Sequence, residues 1–135
     1  MARDLLPDLA LLAARGLIGG LFLAGAGQKL ILPDAAQALL VQQGLPAALV
    51  WPALAFNAAA GLALVAGLRV RPVAVGLAAY SAATSLFHLI PDDPWQMSIF
   101  VKNWAIAGGC LALAVAGSGR LALRPDGPAP GGARG

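Results

Sequence analysis

Polar side chains are scarce in this sequence, and most of them gather in a few places. Residues 87–104, FHLIPDDPWQMSIFVKNW, hold His88, Asp92, Asp93, Gln96, Lys102 and Asn103 between two long apolar runs. Just upstream, Ser81, Thr84, Ser85 and His88 are spaced i, i+3, i+4 and i+7, which is one face of a helix. Histidine titrates near neutrality and can exchange a proton with a bound oxygen. Lysine and asparagine can donate hydrogen bonds to a carbonyl or an anion. Gln28 and Lys29 close an earlier apolar run, and Asn57 sits about ten residues into another. His88, Lys102, Asn103, Gln28, Lys29, Thr84 and Asn57 are therefore the candidate ligand-binding residues. A local reading competes with a shared cavity: Ser and Thr bond back to helix carbonyls, His88 rests among headgroups and Lys102 snorkels outward. The cavity is the expectation, because His88 ends a polar stripe instead of standing alone.

The missing residues narrow the chemistry. One histidine cannot supply two axial haem ligands, and no HExxH, carboxylate cluster with metal spacing or nucleotide-binding GxGxxG is present. Cys110 is the sole cysteine, so neither an intrachain disulfide nor a CxxC pair can form. No stripe of Lys and Arg interleaved with aromatics points to nucleic acid. No catalytic residue and no metal site is assigned. Electron transfer would need a diffusible quinone or a partner redox subunit, and the isolated chain is not expected to be an enzyme.

The elements that must position these groups follow from composition. The 135 residues are 59% hydrophobic and 11% charged, against roughly a quarter charged in soluble domains. Apolar runs near 9–28, 47–68, 73–90 and 98–117 are each about the length a helix needs to cross roughly 30 Å of hydrocarbon. They do not alternate as barrel strands would. The sequence thus predicts an all-α, four-helix transmembrane bundle over residues 1–119, followed by a disordered tail at 120–135 rich in Pro and Gly. Cleavage of the first run as a signal peptide is not expected, because Arg15 interrupts it and no soluble domain follows. Ala35 to Gln43 reads as a short amphipathic stretch at the interface, and Trp51, Trp95 and Trp104 as interfacial anchors.

Arg3, Arg69, Arg71, Arg120, Arg124 and Arg134 fall on one side, while Lys29 and Lys102 fall on the other beside Asp34, Asp92 and Asp93. The excess of positive charge predicts that both termini are cytoplasmic. Asp92 or Asp93 could pair with Lys102 or Lys29. Gly16, Gly20 and Ala24 form one small-residue row, and Ala105, Gly108, Gly109 and Ala112 another; packing inside the bundle is favoured over dimerisation. Arg15 is the buried-charge candidate: it either snorkels to the headgroups or faces the bundle, with Asn57 as a candidate partner.

Several of these residues together resemble the DoxX family of small four-helix bacterial inner-membrane proteins. Arg15-Gly16, Phe22, Gly25, Gly27 and Lys29-Leu30 are similar to its first helix, and Gly44-Leu45-Pro46 to its first outer loop. Asn57, Gly61-Leu62, Leu64 and Gly67 resemble its second helix. Phe87-His88 and Phe100-x-Lys102-Asn103-x-Ala105-x-x-Gly108-Gly109 resemble its third and fourth, so the likeness spans residues 15–119. Two departures stand out: Asn57 replaces a frequent acidic residue, and Arg120-Leu121-Ala122-Leu123 replaces a frequent Ser and Asp. The resemblance implies a multi-pass inner-membrane location and a link to membrane redox systems, one namesake being a subunit of a thiosulfate:quinone oxidoreductase. The expected role is an accessory subunit with an outer-half polar pocket for a quinone or small polar ligand. The alternative is a structural or assembly factor that packs on another membrane protein, or on a second copy of itself, without a ligand.

Overall fold

Four segments of mean hydropathy between 1.2 and 1.8 form helices long enough to cross a membrane: Leu5–Ile31, Ala47–Ala66, Val70–His88 and Pro94–Ala116. The computed structural model describes residues 2–127. The helices are α1 (Ala2–Ile31), α2 (Pro33–Gln42), α3 (Val50–Ala66), α4 (Val70–Ser85) and α5 (Pro94–Ala116). Short 3-10 turns precede α3 (Ala47–Leu49) and follow α4 (Leu86–His88). The long helices run up, down, up and down, so one end carries the α3–α4 turn, the start of α1 and the end of α5. The opposite end carries α2 and the α4–α5 connection; these are called here the termini end and the loop end.

Local chemistry sets the boundaries. Asp93 caps α5, its carboxylate accepting from the backbone N–H of Trp95 at 3.0 Å and Gln96 at 3.3 Å, and Pro94 occupies the first turn where no N–H is needed. That role leaves Asp93 to its own helix, and neither Lys29 nor Lys102 forms an ion pair among the described residues. α3 ends at Gly67, whose left-handed φ of 78° lets Leu68 N–H reach the Ala63 carbonyl at 2.8 Å. α2 has no buried residue, and Leu30, Ile31, Leu32 and Val41 around it are exposed, as an element lying at a membrane interface requires.

α1 packs chiefly on α3 and α4 on α5. Phe22, Leu64, Val70, Leu77, Cys110 and Leu113 form the centre where the two pairs meet. The α1–α3 contact is a backbone approach at Gly19 and Gly61: a Cβ on Gly61 would lie 2.9 Å from the Gly19 carbonyl oxygen and 3.0 Å from Leu23 Cγ. Without a hydrophobic drive in lipid, such closeness is what holds helices together. Gly61→Ala is therefore expected to force α1 and α3 apart and cost about 1–3 kcal/mol, read as a lower thermal midpoint in detergent. The rows at Gly16, Gly20, Ala24 and at Ala105, Gly108, Gly109, Ala112 do not serve this internal contact. Except for partly covered Gly20, these positions are exposed. At 100° per residue, Arg15, Gly19, Phe22 and Ala26 form the inward face of α1, which turns the Gly16 row outward.

The tail is a second correction. From Ser118 to Gly127 it folds back across the termini end instead of staying disordered. Leu123 N–H donates to the Ala66 carbonyl at 3.0 Å and Arg124 N–H to the Gly67 carbonyl at 3.2 Å. Ser118 and Asp126 exchange two hydrogen bonds, and Arg120 Nε meets Asp8 at 2.6 Å. Arg71 donates to the carbonyls of Val115 and Gly127 and lies 3.9 Å from Asp126. A segment without regular structure is thus tied down by carbonyls that α3 leaves free at its end. Residues 128–135 of the expected tail, with Arg134, lie outside the described residues.

Candidate functional site

Arg15 is fully buried, and it does not meet Asn57. Its guanidinium reaches the termini end of α3, donating from Nη1 to the Leu64 and Val65 carbonyls at 3.4 and 3.3 Å. Nη2 donates to the Leu121 carbonyl of the returning segment. Gly67 leaves the space that Nη1 and Ala122 fill. The guanidinium neither snorkels to lipid nor lines a pocket; it pins the strap formed by residues 118–127 to the bundle. A cavity of about 250 Å³ beside the strap is bordered by Asp8, Arg71, Ser118, Arg120 and Asp126. Its charges answer one another through the Arg120–Asp8 and Arg71–Asp126 contacts, so it is the seam of the strap.

At the other half of the bundle, Asn57 is 2% exposed and its Oδ1 has no hydrogen-bond partner. Such a group costs on the order of 1–3 kcal/mol when left unsatisfied. Its amide faces Gly25 and Lys29 of α1 and the Tyr80 hydroxyl of α4. A methyl on Gly25 would lie 3.6 Å from Asn57 Nδ2 and 3.7 Å from Lys29 Nζ, so both nitrogens border one small volume. Below it, Tyr80 packs on Phe22 at 6.2 Å and Phe56 at 5.2 Å between ring centroids. Three helices thus contribute two amine or amide nitrogens, a phenol and an unpaired carbonyl above an aromatic floor.

The other candidates lie elsewhere or are satisfied locally. Thr84 Oγ1 donates back to the Tyr80 carbonyl at 2.8 Å, and Ser85 Oγ to that of Ala82 at 2.6 Å. His88 is half-buried, with Nδ1 2.7 Å from Gln96 Oε1, which ties the 3-10 turn to α5. Asn103 is half-buried on α5. Gln28 is exposed and outside the Asn57 volume. Lys102 is exposed as well, its ammonium 5.9 Å from the Trp95 ring centroid two turns earlier, so it is drawn along the outside of α5. Tyr80 and Gly25 were not among the candidate residues. Tyr80 lies next to Ser81 on the polar stripe, and Gly25 one turn before Lys29, which is the signal that could have found them.

This arrangement sits inside a sequence match. The DoxX family covers residues 10–89, more than half of the chain. The chain belongs to the DoxX family. It is an integral membrane protein of that family, with the all-α bundle that the resemblance implies. It is also 29% identical over 119 residues to the inner membrane protein YqjF of Escherichia coli (strain K12), covering 87% of this chain and 92% of that protein. No solved structure matches the chain.

Proposed function

We propose that this DoxX-family protein is an accessory subunit of a membrane redox system and holds a quinone-like ligand in the outer half of its bundle. It lies in the bacterial inner membrane with both termini in the cytoplasm. The multi-pass topology, the similarity to an inner membrane protein and the arginine-rich termini end support that placement. The observation that carries the ligand is Asn57: buried, with an amide oxygen that nothing among the described residues satisfies. A quinone would suit the chemistry of the residues around it, because an oxygen could accept from Lys29 and Asn57 beside the rings of Phe22, Phe56 and Tyr80. When bound, a quinone supplies two-electron chemistry coupled to protons. The chain contributes binding and orientation. The redox centre that exchanges electrons belongs to a partner.

The test is titration calorimetry of a short-chain ubiquinone into the full chain in nanodiscs. A methyl at Gly25 competes for the position of the bound oxygen, yet it meets its neighbours only at ordinary contact distance and favours the helix. Gly25→Ala is expected to fold and to weaken binding about tenfold or more, a loss of ~1.4 kcal/mol. Equal affinity of both proteins would contradict the site.

A second reading has its own observation. Most of the small-residue rows on α1 and α5 face outward, and a Cβ at Gly16, Gly20 or Gly108 would meet nothing within 4 Å. Such faces suit close packing against another membrane helix, which is the assembly-factor role. Recovery of one stoichiometric membrane partner from native membranes, with no small molecule, would favour it.

A further inference from the structure

Lys29 lies in the last turn of α1, at the loop end, where a lysine ordinarily extends outward to the headgroups. Here the side chain turns the other way. Its ammonium folds back one helical turn toward the Gly25 carbonyl, 3.4 Å away. That carbonyl is its only acceptor among the described residues, and the bond is long. No carboxylate faces it. Asn57 Nδ2 of α3, a second donor, borders the same Gly25 gap. Two donors from two helices thus border the Gly25 gap, one of them positively charged; the Asn57 amide also reaches the Tyr80 hydroxyl.

We infer that Lys29 and Asn57 form an anion-selective subsite, taking a ligand oxygen that carries negative charge, such as the ionised hydroxyl of an acidic hydroxyquinone. The inference rests on the quinone-like site proposed above and adds its charge selectivity. Asn57 Oδ1, itself without a partner, would accept from a second hydroxyl or a bound water on the same ligand. A lipid phosphate is a poorer fit, because it sits at headgroup level while the ammonium points inward. In this low-dielectric setting an opposite charge beside Lys29 is worth more than a neutral carbonyl.

The experiment compares two probes of nearly equal shape with the full chain in phosphatidylcholine nanodiscs at neutral pH. One is 2-hydroxy-1,4-naphthoquinone, an anion there; the other is its neutral 2-methoxy analogue. The anion is expected to bind about tenfold tighter or more. Lys29→Gln, which keeps a donor but no charge, is expected to weaken both probes and to abolish the preference, the anion losing about tenfold more affinity than the methoxy analogue. If both probes bind wild type equally, or the preference survives in Lys29→Gln, the charge selectivity is wrong and the quinone-like site stands. If neither probe binds wild type, that site and the inference built on it both fail.

Discussion

Replacing Arg15 with leucine is expected to release the strap at 118–127 from the bundle. The guanidinium serves carbonyls of Leu64, Val65 and Leu121, and thereby joins α1 to the end of α3 and to the returning chain. Two effects oppose each other. Leucine removes the cost of burying a charge, since among the described residues no carboxylate lies within ion-pair distance of Arg15 and its Nε has no partner. It also removes the donor of the part-buried Val65 and Leu121 carbonyls, at up to about 1–3 kcal/mol each. The second effect wins, because the Val65 and Leu121 carbonyls have no other donor among the described residues. A net loss of ~2 kcal/mol in holding the strap raises its open population roughly thirtyfold. Trypsin reports that opening. Cleavage after Arg120 requires the strap to leave Asp8, whereas Arg124 precedes Pro125 and resists cutting. Arg15→Leu in detergent is expected to be cut after Arg120 at least tenfold faster than wild type. An unchanged rate, with an unchanged melting temperature, would show that Arg15 does not hold the strap.

The second large effect concerns Asn57, and its two readouts move in opposite directions. Asn57→Leu keeps the side-chain volume nearly constant and removes a buried carbonyl that lacks a partner. If the residue served only the fold, the change would cost stability through the lost contact with Tyr80. If it is kept for a ligand, the empty protein carries an unmet group and gains when that group goes. The expected outcome is a gain of ~1 kcal/mol in the ligand-free protein, seen as a higher melting temperature. Quinone affinity is expected to fall about tenfold or more. A lower melting temperature with unaltered binding would return Asn57 to a structural role.

Hydropathy and helix period made much of this legible from sequence. The four spans and the inward placement of Asn57 follow from patterns within about twenty residues. What was not legible depends on contacts between distant segments. Gly16, Gly19 and Gly20 are equally small, so composition cannot say which one faces α3; the phase is set by Arg15 and Phe22. The strap reads as disordered because Pro and Gly exclude regular structure, yet it is fixed by a guanidinium more than a hundred residues away. Lys29 and Lys102 look alike in sequence. One folds inward over Gly25 while the other lies along Trp95, and only the neighbouring side chains separate them.

The central claim is that polar groups from α1, α3 and α4 gather around Asn57 to hold a small molecule. Native mass spectrometry of the full chain, ejected from nanodiscs made directly from its own membranes, tests it most directly. Wild type is expected to retain a bound small molecule of one defined mass, and Gly25→Ala to lose it. Bare protein from wild type, or the same adduct on both proteins, would contradict the claim.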